Sequence, residues 1–254
     1  MFDERFLAAT RASYDVMAAE YAEMVGSDLD AKPLDRSLLS AFAELAQAGG
    51  NGPVADVGCG PGQVTAVLRC LGLDAFGIDL SPEMIAVARR SYPDLRFEVG
   101  SMLALGLPQA SLGGLLAYYS IIHIPWERRS DVFFEFHWVL APGGQLMLVF
   151  QVGDDRGHRD EAFGKAVCVD WYRQQPDEIA ELLRHAGFEV SAMITRQPDS
   201  AKKTPQGYVL AHKPVAEGGR VTSRSSAMLL AACAASWQML LGAASGAGMS
   251  SQSV

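Results

Sequence analysis

From residue 5 to residue 25, Phe6, Tyr14, Met17, Tyr21 and Met24 recur at helical intervals and predict an amphipathic helix. A second helix follows, with Leu34, Leu38, Phe42 and Leu45 assigned to one face and the glycines at 49 and 50 ending it. Beyond residue 52 the period changes. "PVADVG", "DAFGID", "LRFEVG", "LGGLLAYYS" and "QLMLVFQV" are short apolar runs that read as buried strands. "QVTAVLRCLG", "SPEMIAVARRSY" and "WERRSDVFFEFHWVL" lie between them and read as helices, the second with Ser81 as N-cap and Pro82 at its first position. Strands alternating with helices predict right-handed crossovers and a parallel sheet covered on both faces. A polar loop with Gly153, Gly157 and Gly164 comes next, then the helix "PDEIAELLRHAG". "FEVSAMITR" and "QGYVLAHK" complete the pattern as two strands expected to pair antiparallel at one edge.

The domain is expected to span residues 1–213. Residues 214–226 have a linker composition, and 227–254 form an Ala-rich apolar tail. Within it, residues 227–244 make an 18-residue apolar run. As a helix it would span about 27 Å, the short limit for a bilayer. Its alanines and central Gln238 weigh against membrane contact, which leaves a partner-packed helix or an unstructured appendage. Deleting 220–254 is expected to leave the domain's binding function intact.

A net charge of −8, with no dense Lys/Arg cluster, argues against a nucleic-acid partner. The four cysteines show no CxxC and the five histidines no HExxH, so no metal site is expected. Scattered thiols and an N-terminus unlike a secretory signal predict a cytoplasmic protein. The oligomeric state is not legible.

"VADVGCGPG" carries the chemistry. Glycines between a buried strand and a helix let the backbone turn sharply and let a ligand approach with no Cβ in the way. Asp79 ends the next strand 19 residues after Gly60, where an acid accepts hydrogen bonds from both hydroxyls of an adenosine ribose. The spacing Gly58-x-Gly60-x-Gly62 brings the third glycine one place too early for the dinucleotide fingerprint. Asp56, two positions before the first glycine, would repel a pyrophosphate and suits a cationic tail. An adenosine bearing a cationic amino-acid tail fits; NAD does not.

These motifs, with "GIDLSPEMI", "FEVGSM", "SIIHIP" and "LAPGGQLMLVF", resemble the class I S-adenosylmethionine-dependent methyltransferases, in their small-molecule branch with a methyltransferase domain of the ubiquinone-biosynthesis type. The resemblance implies an α/β, Rossmann-like, doubly wound and mostly parallel seven-stranded sheet with a C-terminal antiparallel strand and N-terminal lid helices. It implies S-adenosyl-L-methionine as cofactor, with Asp56, Gly58 and Gly60 lining its methionine moiety and Cys59 among the contacts. Asp79 would hold the ribose and Leu80 lie beside the adenine, while Tyr14 and Tyr21 would close over the cofactor. Where many relatives carry an acid for the adenine amino group, this chain has Ser101, a neutral acceptor, with Met102 able to pack on the ring. The family's usual acid before the fourth strand is replaced by Gly113 and Gly114.

The reaction implied is in-line methyl transfer to a small, largely apolar organic acceptor. A base is needed only for a poorly acidic hydroxyl or a protonated amine. Candidates are His123 in "SIIHIP" and His158 in "GDDRGHRDE", both expected at the sheet's carboxyl edge. Tyr118, ending the fourth strand, is placed to touch the methionine end through its backbone, and Trp171 and Tyr172 to wall an acceptor pocket. Two alternatives stand beside this reading: an NAD(P)-linked oxidoreductase and a non-catalytic cofactor-binding module.

Overall fold

The computed structural model describes residues 5–26, 28–49, 52–199 and 203–215. The apolar tail and nearly all of the linker lie outside the described residues. Two helices, α1 (Arg5–Val25) and α2 (Pro33–Gly49), precede the alternating part. There β1 (Val54–Val57), α3 (Gln63–Cys70), β2 (Ala75–Asp79), α4 (Pro82–Ser91), β3 (Phe97–Val99), β4 (Leu112–Tyr118), α5 (Arg129–Val139) and β5 (Leu140–Gln151) follow one another. The chain continues through β6 (Arg156–Ala162), β7 (Lys165–Tyr172), α6 (Pro176–His185), β8 (Glu189–Arg196) and β9 (Gln206–His212).

Seven strands form one sheet in the order β3-β2-β1-β4-β5-β9-β8. The first five pair in parallel, and β9 pairs antiparallel with both β5 and β8. The late pair is therefore antiparallel as expected, with the last strand inserted inside the sheet and β8 at its edge. Along β1 the side chains alternate. Ala55 and Val57 join the apolar layer under α5 and α6, whereas Val54 packs with α2 and α3. Asp56 shares Val54's side of the strand and so faces α3. The order of strands reverses between β1 and β4, which opens a crevice at their carboxyl ends.

Two expectations need correction. Residues 153–164 are not simply a polar loop, because β6 and β7 pair as an antiparallel two-stranded ribbon outside the main sheet. Only Ala162 of β6 is buried, so β6 shows no apolar period by which it could be read as a strand. The buried face of α2 is also turned from the predicted one. Leu39, Phe42, Ala43 and Ala46 face the core together with Asp35, whereas Leu34 and Leu45 are exposed. A charged residue on the inner stripe masked its true direction. Asp35 accepts hydrogen bonds from the hydroxyls of Tyr118 at 2.6 Å and Tyr208 at 3.1 Å, and these tie α2 to the sheet.

Ser81 caps α4 as expected, its side chain accepting the Met84 N–H. Among the described residues, no helix is long and apolar enough to cross a membrane.

Candidate active site

The turn after β1 explains its glycines. Gly58 and Gly60 both have positive φ, 76° and 54°. A Cβ on Gly58 would collide with the side chain of Ser120. At Gly60 the nearest atom to such a Cβ is Tyr21 Cε1 at 3.9 Å, so this glycine leaves open space. The first glycine lets the turn close against β4, and the second leaves a bare cradle. Ser120 is held there by donating to the Val57 carbonyl at 2.6 Å. Tyr119 just before it has φ of 54°, a left-handed conformation costly for a side chain of this size.

Two adjoining cavities meet at this turn. One, partly open to solvent, runs from the Gly58–Gly60 turn past Asp79 and Leu80 to Ser101 and Met102. The other, also partly open, takes in Asp56, Cys59 and Gln63. Tyr14, Tyr21 and Tyr118 border both. Every cofactor-binding residue predicted from the sequence thus lines one or both cavities.

Asp79 is fixed by two backbone donors, Gly60 N–H at 2.8 Å and Ser81 N–H at 2.9 Å. Burial raises its pKa, against the lowering effect of those hydrogen bonds. Each carboxylate oxygen keeps a further lone pair for a ligand hydroxyl. Asp56 is fully buried, and its Oδ2 accepts the Thr65 hydroxyl at 2.6 Å. Its Oδ1 has no hydrogen-bond partner, and burial pushes its pKa up to about 7. A buried carboxylate oxygen with no donor is costly. A cationic or N–H-bearing ligand in the adjoining cavity would relieve that cost.

α1 covers the site and is fastened on two sides. Asp15 accepts from the Ser81 hydroxyl at 2.6 Å and from the Glu83 N–H at 3.2 Å, placing an anion at the start of α4. Ser13 accepts the Cys168 N–H at 2.8 Å, and Lys165 donates to the Val16 carbonyl and to Glu20. Met17 packs with Ala162 and Val169 of the ribbon, with Tyr14 and Tyr21 alongside. Tyr14 and Tyr21 meet edge to face at 5.5 Å between ring centroids.

The two histidine candidates separate. His123 lines the first cavity, with Nε2 at 2.8 Å from the Tyr14 hydroxyl and Nδ1 at 2.8 Å from the Asp170 carbonyl. Both ring nitrogens are therefore engaged. His158 is a correction: it sits on β6, half exposed, paired with the Asp170 carboxylate at 2.8 Å, and lines neither cavity. Its strand belongs to the ribbon outside the main sheet. Trp171 and Tyr172 also line neither cavity; Tyr172 instead meets Trp126 edge to face. Tyr118 hydrogen-bonds Asp35, and burial raises its pKa further from the neutral range. Thr65, Ser120 and the Asp170 carbonyl escaped the sequence reading, since each acts through a contact between elements distant in sequence.

Residues 54–144 match a family described as a methyltransferase domain. Over 132 residues the chain is 35% identical to trans-aconitate 2-methyltransferase of Rhizobium meliloti, a match covering 51% of this chain and 47% of that enzyme. It is 34% identical over 97 residues to demethylmenaquinone methyltransferase of Chlorobaculum parvum, covering 38% and 39%. The matches thus span about half or less of these curated relatives. Among solved structures, the fold is similar to that of the Burkholderia thailandensis 1,6-didemethyltoxoflavin-N1-methyltransferase, crystallised with its substrate and S-adenosylhomocysteine. There the TM-score is 0.62 at 22% identity, over 85% of this chain and 92% of the other.

Proposed function

We propose that this chain, whose residues 54–144 match a methyltransferase-domain family, moves a methyl group from S-adenosyl-L-methionine to a small organic acceptor by in-line displacement. One observation carries the reading. A buried carboxylate oxygen without a donor, on Asp56, lies beside a glycine cradle that itself donates to a second, partly buried acid, Asp79. That combination fits an adenosine with a cationic tail, and a pyrophosphate would meet Asp56 as a like charge. Nothing in the site favours the oxidoreductase alternative.

In this reading Asp79 holds the ribose hydroxyls, and Leu80, Ser101 and Met102 flank the adenine. Asp56, Gly58, Cys59, Gly60 and Tyr118 surround the methionine moiety, and Tyr14 and Tyr21 cover it. When bound, the cofactor supplies a sulfonium-activated methyl group, so the protein's share is alignment and exclusion of water. The cap of α1 and the β6–β7 ribbon performs the exclusion. His123 is the base this reading retains, and His158 is dropped. The acidic chain suits a small-molecule partner and not a nucleic acid, and the free thiols Cys59, Cys70 and Cys168 suit a reducing cytoplasm.

The test is calorimetric titration with S-adenosylhomocysteine and NAD(P)H, followed by labelled methyl transfer into a metabolite extract with the product identified by mass. Binding of S-adenosylhomocysteine and a labelled product are expected. Binding of NAD(P)H alone would overturn the proposal, and cofactor binding without any labelled product would point to the non-catalytic module.

A further inference from the structure

His123 cannot act on an acceptor directly, because both of its nitrogens are taken. The Asp170 carbonyl can only accept, so Nδ1 carries the ring proton and Nε2 offers its lone pair. The Tyr14 hydroxyl must then donate to Nε2. A phenol oxygen that donates its proton still has lone pairs to offer, and Tyr14 borders both cavities. Three elements far apart in sequence, α1, the turn after β4, and β7, thus form one hydrogen-bonded line ending in the cavity.

Resting on the methyl-transfer reading, we propose that Tyr14 and His123 form a proton path that serves a hydroxyl acceptor, a phenol or enol on an apolar body. As the acceptor oxygen bonds the methyl carbon, the carbon–sulfur bond breaks with its electron pair left on sulfur. The hydroxyl proton passes to the Tyr14 oxygen while Tyr14's own proton passes to His123 Nε2. The imidazolium so formed keeps its Nδ1–H on the Asp170 carbonyl and loses the extra proton to solvent after product leaves. Tyr14 does not rest as a phenolate, since burial and the nearby Tyr21 and Asp79 raise its pKa, with Arg159 opposing. It takes one proton only as it gives up another. Burial also lowers the His123 pKa, with Asp170 opposing, so the ring waits neutral and able to accept. A carboxylate acceptor is already ionised at neutral pH and needs no such path. The walls formed by Phe6, Leu7 and Ile124 suit an apolar body.

Ring ¹⁵N resonances of the full chain loaded with S-adenosylhomocysteine test the path without turnover. The neutral Nδ1–H form of His123 is expected, with a titration midpoint that rises in Tyr14→Phe as the donor to Nε2 is lost. An Nε2–H form, or an unmoved midpoint, would overturn the assignment. Transfer is then measured at saturating cofactor with catechol, 2-naphthol and acetylacetone, and with trans-aconitate as the carboxylate control. Tyr14→Phe and His123→Gln should each lower kcat for the hydroxyl acceptors about 100-fold, with KM changing less than about threefold. Both should also lose the fall in kcat at acid pH that protonation of His123 imposes on the wild type. Transfer to trans-aconitate alone, or to no member of the panel by a chain that binds S-adenosylhomocysteine, would overturn the hydroxyl class. A chain that does not bind S-adenosylhomocysteine at all would overturn the methyl-transfer reading itself.

Discussion

At the scale of single residues, the two acids of the site divide the work and respond differently to change. Asp79→Ala removes charge-assisted acceptors and should weaken S-adenosylhomocysteine binding by about 2 kcal/mol in calorimetry. Asp56 should make binding depend on pH. With its pKa near 7 in the free protein, it must lose a proton before it can face a cation. S-adenosylmethionine affinity should therefore fall by up to about tenfold per pH unit below that point. Asp56→Asn should flatten the dependence. Gly58→Ala sets a Cβ against Ser120 at a left-handed φ and should cost about 2 kcal/mol or more of folding stability, read from denaturant melts. These three residues were legible in the sequence because each belongs to a short motif beside a strand end. Thr65 and Ser120 were not, since a hydroxyl's partner across the fold leaves no local pattern.

At the scale of elements, the helix that covers the crevice depends on a ribbon that conveys little in sequence. Ser13 is nearly fully buried and accepts the Cys168 N–H. Ser13→Ala should cost about 1 kcal/mol and leave that donor unsatisfied. Hydrogen exchange should quicken in both α1 and β7, and a change confined to α1 would contradict their coupling. The parallel strands were legible because burial on both faces makes them continuous apolar runs. The ribbon was not, because β6 exposes nearly all of its side chains and gives only Ala162 to the small cluster with Met17. The inner face of α2 was misread for a related reason. Its stripe includes Asp35, whose worth lies in two tyrosine hydroxyls that only the folded sheet brings near.

At the scale of the whole molecule, Asp56 couples the crevice to global stability. Its folded pKa lies above the 3.8 of an ordinary aspartate, so the native state holds a proton that the unfolded chain releases between those values. The sign follows: this residue's contribution falls as pH rises from about 4 to about 7 and is level above. The melting temperature of the empty wild type, relative to Asp56→Asn, should drop across that window, and saturating S-adenosylmethionine should remove the drop. The two-sided fastening of α1 has a consequence in time as well. Asp15 grips the start of α4 while Ser13 and Lys165 grip β7, so the roof cannot swing on one hinge without breaking the other attachment. Entry of the nucleoside and its departure must therefore break both attachments together, and both rates should rise when either attachment is removed.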